Sequence, residues 1–417
     1  MSSTQPVTNG QEARFSREQL AGYDPSVLAR AAILVIGAGA LAQNLLINLA
    51  LSGVGELRIV DFDEFEDHNA PRSPLYPTVE EQALWGMAKA RVVAHKIERL
   101  MRADAPRVSY ALEPIQALGT GAFLNVGVVI SCVDNPEARA YLSDTCRWLG
   151  LTLIEGGFDG PSITMACYSA TDVDDAAEAP CYRCGNARLE GTFSCEQYAI
   201  AAESAGVIPG IQAAAATLGG LQAEAAVQAL HGEHPLGFRR LSLNIRNGQF
   251  RQYELSTDPL CKDAHPRAHR RIADEPADLA VTADSSLGTI IDRITADLGA
   301  GAKLKLPDGL VHDAFCRECA RPTLVTAPDW AWRATPLCAA CGGRYERIPS
   351  PRDGYSPTII QEVHADEDQS IRDLTCKQAG ISPLSLFEAW DASAERLKIY
   401  RLAGQLPDLF ESTPSPT

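Results

Sequence analysis

The amino-acid sequence predicts an α/β fold: a parallel sheet with covered faces, an antiparallel extension, and a C-terminal α+β region containing a zinc ribbon. Between Ile33 and Gly160, apolar strand-like runs alternate with segments of helical periodicity, the pattern of a parallel sheet packed on both faces. Residues 238–255 hold two alternating runs around Asn247-Gly248, a hairpin signal. Two Cys-x-x-Cys pairs, Cys316/Cys319 and Cys338/Cys341, are separated by 18 residues, a spacing that lets two knuckles bring four thiolates into a tetrahedron.

The elements follow in order. Residues 1–30 read as a lead-in helix and loop. ILVIG (33–37) is an apolar strand ending in glycine, and ELRIVDFD (56–63) is a second strand. MAKARVVAHKIERLMR (87–102) has helical apolar spacing. RVSYALEP (107–114) and VGVVISCVD (126–134) read as strands, and ARAYLSDTCRWLG (138–150) as a helix stopped by glycine. Residues 207–231 carry Ala, Leu and Gly at helical spacing and predict a buried helix. Residues 262–284, rich in His, Arg, Asp, Pro and Ala, resemble a linker. The chain thus divides into a domain at 1–270, a linker at 271–284 and a region at 285–417 with the ribbon at 313–346. The tail ESTPSPT is expected to be disordered.

Composition bounds the function. With 46% apolar and 22% charged residues, the 417-residue chain is globular in character. A net charge of −16 counts against a nucleic-acid binder, because phosphate backbones are held by clustered Lys and Arg. The start has no secretion-signal pattern. The most apolar stretch, Ala31 to Gly55, is interrupted by Gln43, Asn44 and Asn48, and reads as strand, turn and helix rather than a membrane span. Paired cysteines in such a chain read as metal ligands in a reducing cytoplasm.

Gly37-Ala38-Gly39-Ala40 follows the first strand and opens a helix. Glycines there allow a sharp turn and close approach to a phosphate-bearing ligand, and the helix start offers free N–H groups. Such a Rossmann-like loop, followed by Asp61 and Asp63 at the end of the second strand, would by itself suit an NAD-dependent oxidoreductase. The residues that come next point elsewhere. Asn69 and Arg72, then Lys89 at the start of a helix, then Asp134-Asn135 after a later strand, would bring an amide, two cations and a carboxylate to the carboxyl edge of the sheet. Cations there suit a triphosphate, and a carboxylate suits Mg²⁺. Taken one at a time, Arg72 and Lys89 read equally well as surface charges and Asp134 as a helix cap.

This ordered set resembles the ThiF/MoeB-type adenylyltransferases and ubiquitin-activating enzymes, over roughly residues 12–265. Arg14-Phe15-Ser16-Arg17 is similar to the family's N-terminal arginine motif, and residues 206–230 to its late helix. The resemblance implies an adenylation domain that uses ATP to activate the C-terminus of a ubiquitin-like or sulfur-carrier protein ending in Gly-Gly. It implies that Asp61 holds the ribose, that Asn69, Arg72 and Lys89 bind phosphates, and that Asp134 holds Mg²⁺. Arg17 would reach the partner subunit's nucleotide in a homodimer. The sequence departs from the family at Ser73, where glutamine is usual, and in a longer stretch between Arg72 and Lys89. Alternatives are an adenylyltransferase for thiamine- or molybdopterin-type sulfur transfer, the oxidoreductase, and a non-catalytic zinc scaffold.

Among the 12 cysteines, Cys181/Cys184 offers half of another metal site. Cys261 and His265 fit the other half, where the family often has Cys-x-x-Cys; Asp263 or His269 are alternatives to His265. Two Zn²⁺ ions are therefore expected. Cys132, Cys146, Cys167 and Cys376 remain, the first three reading as buried structural thiols. Cys195 lies in the polar segment EGTFSCEQYA, where the resemblance places a thiol that accepts the activated tail before transfer, for example to a conjugating enzyme; Glu196 beside it would hinder ionisation. Segments 358–381 and 394–402 predict a small α+β unit around or beside the ribbon.

Overall fold

The computed structural model describes residues 14–103, 105–169, 179–186, 210–264, 272, 275–316, 318–319, 322–334, 338, 340–342, 359–391 and 396–413. The chain forms two units. The first comprises residues 1–115, 125–272 and 410–417; the second comprises 116–124 and 273–409.

The first unit is built on a nine-stranded sheet. Its strands are β1 (Ala32–Ile36), β2 (Glu56–Val60), β3 (Arg107–Ala111), β4 (Val128–Ser131), β5 (Thr152–Asp159), β6 (Ser162–Tyr168), β7 (Arg239–Asn244), β8 (Gln249–Glu254) and β15 (Glu411–Ser412). Their order is β15-β3-β2-β1-β4-β5-β6-β7-β8, with β3 through β5 parallel and β6 to β8 added antiparallel. This is the expected Rossmann-like sheet with its antiparallel extension. Every residue of β1 and β4 is buried, which is why those strands read as unbroken apolar runs rather than alternating ones.

Helix Ala40–Leu51 carries no charged residue and is buried along most of its length. It packs against helix Gln212–Leu230, whose small residues let the two backbones come close. At Gly219 a Cβ would stand 2.8 Å from the Leu45 backbone nitrogen and 2.9 Å from Asn44 Cβ. Helix Pro136–Leu149 starts on the Asn135 cap, whose Oδ1 accepts from the Ala138 N–H, and stops at left-handed Gly150. Among the described residues, no helix is long and apolar enough to cross a membrane.

The second unit has its own sheet, ordered β11-β10-β13-β14-β9 with β12 also paired to β10. These strands are β9 (Ala277–Leu279), β10 (Ala302–Phe315), β11 (Pro322–Pro328), β12 (Ile359–His364), β13 (Leu386–Asp391) and β14 (Arg396–Leu402). Helix Leu287–Leu298 buries Leu287, Ile290, Ile291, Ile294 and Leu298, one stripe at helical spacing, in a core separate from that of the first unit.

Two expectations are corrected. The tail was expected to be disordered, but Glu411 and Ser412 pair antiparallel with Tyr110 and Ser109 of β3. Tyr110 donates to Glu411 Oε2 at 2.6 Å, and Thr413 donates twice to the Val108 carbonyl. These bonds occupy an otherwise open sheet edge, which composition alone does not reveal. The stretch 271–284 was expected to be a linker, yet Ala277–Leu279 is a strand paired in parallel with β14. A three-residue strand is too short to carry a periodicity.

The Gly219 contact makes a test. Gly219→Ala is expected to lower stability by about 1–3 kcal/mol despite alanine's better helix propensity, because the methyl meets backbone. Gly220→Ala, with nothing within 4 Å of its Cβ position, should be neutral or gain up to ~1 kcal/mol. Urea unfolding of the two variants checks the contrast.

Candidate functional site

The strand order reverses between β1 and β4, and at such a switch point the loops leaving the carboxyl ends of neighbouring strands diverge to form a crevice. Gly37 opens the loop after β1 with φ +99°, and its Cβ position is 2.7 Å from the Cys132 carbonyl oxygen beyond β4. Only glycine fits that approach. Gly39 then caps helix Ala40–Leu51 without a side chain and has open space before it, with nothing within 4 Å of its Cβ position.

The loop is tied to its surroundings through polar side chains. The Ala38 N–H donates to Asp61 Oδ2 at 2.6 Å, and the Asp63 N–H to Asp61 Oδ1 at 2.8 Å. Burial pushes the Asp61 carboxyl above the usual carboxylate range, opposed by these N–H groups and by nearby Lys89. Fully buried Gln43 donates to the Ala38 carbonyl at 3.0 Å and accepts from the Leu75 N–H at 2.9 Å. It thereby links the glycine loop to the segment just after Arg72.

Lys89, at the start of helix Lys89–Glu98, forms an ion pair with Asp63 at 3.0 Å. Asn69 is buried, its Oδ1 accepting from the Glu66 N–H at 3.0 Å in a short capping turn that ends at Arg72. The Arg72 side chain makes no hydrogen bond or salt bridge among the described residues, and its Cδ lies 3.7 Å from the Gly210 Cβ position, beside a bridge that joins Gly210 to Gly160 after β5. Asp134 is exposed and likewise makes no hydrogen bond or salt bridge among the described residues. The helix cap is its neighbour Asn135, so Asp134's carboxylate is not spent on the helix. Arg17, in the short helix Ser16–Leu20, is exposed.

The structure therefore joins the glycine loop, Asp61, Asp63 and Lys89 by direct contacts, and sets the end of β4, which leads to Asp134 and Asn135, against Gly37. Three functional candidates escaped the sequence reading. Gln43 was visible only as a polar break in an apolar helix. Gln222, fully buried, donates to the Ser131 carbonyl at 3.4 Å. Arg139 pairs with buried Glu155. No spacing rule separates such buried polar residues from ordinary surface ones.

The cysteines gather as expected where they are described. Sγ–Sγ distances are 3.7 Å for Cys181–Cys184 and 3.6 Å for Cys181–Cys261. In the second unit they are 3.5 Å for Cys316–Cys341 and 3.7 Å for Cys319–Cys338. Thiolates about 2.3 Å from a tetrahedral zinc would stand roughly 3.8 Å apart, so both groups fit the ion, and none of the seven sulfurs is bridged to another. Burial and the neighbouring Cys184 push Cys261 up to about 11, opposed by Cys181 and by the charge of Arg183. At Cys338 burial works the same way, but the N–H groups of Ala340 and Cys341 outweigh it and bring the thiol down to about 6. His265 and Cys195 lie outside the described residues. Burial also raises the Cys132, Cys146 and Cys376 thiols.

The profile of the ThiF family matches residues 17–263, more than half of the chain. The chain belongs to the ThiF family. Among curated relatives of this ThiF-family chain, "Adenylyltransferase and sulfurtransferase MOCS3" of Arabidopsis thaliana is 30% identical over 251 residues, covering 57% of this chain and 48% of that one. The Bos taurus protein of the same name is 32% identical over 220 residues, covering 48% and 45%. The chain thus spans about half the length of the curated relatives it matches. A solved structure of E. coli MccB with ATP aligns at TM-score 0.48 and 17% identity, covering 62% of this chain and 74% of that one, a likeness too distant to carry weight.

Gln43 gives a residue-level test. Gln43→Leu removes the partners of a carbonyl and an N–H at a cost of about 1–3 kcal/mol. If the Gln43 bridge holds the two segments together, the Leu75 amide should exchange with deuterium roughly tenfold to a hundredfold faster in the variant. Unchanged exchange would mean that the segments are held by other contacts.

Proposed function

We propose that the first unit binds ATP at the carboxyl edge of its parallel sheet and adenylates the C-terminal carboxylate of a ubiquitin-like or sulfur-carrier protein ending in Gly-Gly. The observation that carries the reading is the linked set of Gly37, Asp61, Asp63 and Lys89 at the sheet's switch point, in a chain of the ThiF family. The backbone of Gly37, Gly39 and Ala40 faces the phosphates, and Asp61 takes the ribose. Asn69, Arg72 and Lys89 take the phosphates. Lys89 reaches them by exchanging its exposed partner Asp63 for phosphate oxygen, and Arg72 has no ion pair to give up among the described residues. Asp134, with Asn135 fixing the turn beside it, is the residue that would hold Mg²⁺. That ion, when bound, supplies positive charge against the phosphates.

The chemistry follows from charge. A tail carboxylate oxygen attacks the α-phosphorus. The bond from that phosphorus to the oxygen bridging the α- and β-phosphates breaks, and pyrophosphate leaves with the electron pair. Arg72 and Lys89 oppose the charge that builds on the leaving oxygens. A carboxylate is ionised at neutral pH, so no side-chain base is required. Cys195 would then attack the acyl-adenylate, expelling AMP and holding the tail as a thioester for a conjugating enzyme or another acceptor. Arg17 would reach the nucleotide of the partner subunit in a homodimer.

Sulfur transfer is the second reading, favoured by the sulfurtransferase in the names of the curated relatives. A dinucleotide oxidoreductase gives Lys89, Arg72 and Asp134 no work. Cysteine groups that fit zinc suit a reducing compartment, and we place the protein in the cytoplasm. One Zn²⁺ is assigned to Cys181, Cys184, Cys261 and His265, and a second to Cys316, Cys319, Cys338 and Cys341.

Asp134→Ala and Lys89→Ala are each expected to lower ATP–pyrophosphate exchange, assayed with a Gly-Gly-tailed partner, by about 10²–10³-fold. Exchange unchanged in both would remove the assignment. Metal analysis should find about two zinc ions per chain, falling to about one in Cys338→Ser. Failure to lose zinc in that variant would remove the ribbon.

A further inference from the structure

The mechanism leaves unexplained a buried ion pair beside the site. Glu155, on β5, is 3% exposed and forms a close ion pair with Arg139 Nη1. Arg139 belongs to helix Pro136–Leu149, and its Nη2 donates to the Val133 carbonyl at 2.6 Å. The guanidinium crosses β5 at Gly157, where a Cβ would meet Nη2 at 2.9 Å. Arg240 of β7 stands 4.0 Å from the other Glu155 oxygen and donates to the Tyr168 hydroxyl at 3.1 Å.

Burying such a pair is expensive, and replacing it with apolar side chains often leaves stability unchanged or improved. Stability alone is therefore a poor account of it. Its geometry supplies a better one. Between β4 and the helix, the chain runs through Cys132, Val133, Asp134 and Asn135. The Cys132 N–H donates to the Ile36 carbonyl at 2.8 Å. The Val133 carbonyl is taken by Arg139, and Asn135 is fixed by its own capping bond to the Ala138 N–H at 2.7 Å. The Asp134 carboxylate, between two clamped neighbours, makes no hydrogen bond or salt bridge among the described residues and feels the charge of nearby Arg139.

We propose that Arg139, held by Glu155, is the positioning residue for Asp134: it fixes the Val133 carbonyl and so the direction in which the Asp134 carboxylate meets a divalent cation on the nucleotide. This rests on the assignment of Asp134 above. Lysine at 139 keeps a positive charge beside Glu155 but cannot make both bonds in the planar fork. Glutamine at 155 keeps an acceptor and removes the charge that orients the fork.

The test uses the full chain with a non-hydrolysable ATP analogue and Mn²⁺ as the probe, read by electron paramagnetic resonance, so turnover is not required. Arg139→Lys is expected to raise the Mn²⁺ concentration for half-saturation about tenfold, with analogue binding in metal-free buffer unchanged, and Glu155→Gln to shift it the same way by less. Asp134→Ala should weaken Mn²⁺ at least as much, and adding Arg139→Lys to Asp134→Ala should cost nothing more, since the two act through one carboxylate. Weaker Mn²⁺ binding in Asp134→Ala, with wild-type values in both Arg139→Lys and Glu155→Gln, overturns the positioning role and leaves the Asp134 assignment standing. Equal effects of Arg139→Lys with and without Asp134 also overturn it. Wild-type Mn²⁺ binding in Asp134→Ala overturns both.

Discussion

The candidate site depends on one steric constraint: the backbone after β1 must pass against the carbonyl that follows β4. Gly37 meets it with a left-handed turn and no side chain, its Cβ position 2.7 Å from the Cys132 oxygen. Because β1 lies between β2 and β4, this one approach brings three strand ends together at the switch point. Asp61 then joins the end of β2 to the loop through the Ala38 N–H, and Lys89 follows through Asp63. Move the glycine loop outward and these contacts lose their common frame.

Around that frame the polar residues divide into those that are satisfied and those that are not. Asp61, Gln43, Asn69, Asn135 and Gln222 have backbone partners and hold loops in place. Arg72 and Asp134 have no hydrogen bond or salt bridge among the described residues, although both flank the same sheet edge.

Much of this was legible in the sequence, for reasons that differ by residue. The parallel sheet was legible because strands buried on both faces, such as AILVI at 32–36, cannot hide their composition. Gly37 was legible because a left-handed turn packed against a neighbouring strand's backbone leaves few alternatives to glycine. The thiol groups were legible because metal geometry restricts spacing. Arg139 and Glu155 were not, since their significance lies in a contact between a helix and a strand that no local pattern encodes. The β15 pairing and the strand at Ala277–Leu279 were missed because two or three residues are too few to show a period. The proposed adenylation rests on the ordered motif set and on membership of the ThiF family, not on any one residue.

The central claim is that this edge of the sheet transfers AMP to a carboxylate. Mass spectrometry of a Gly-Gly-tailed carrier protein incubated with the chain, ATP and Mg²⁺ tests it most directly. The account predicts a carrier heavier by one adenylyl group, attached at its terminal carboxylate, with one pyrophosphate released for each adduct. Cleavage of ATP to ADP and phosphate with no adduct, or binding of a nicotinamide dinucleotide in place of ATP, would contradict it.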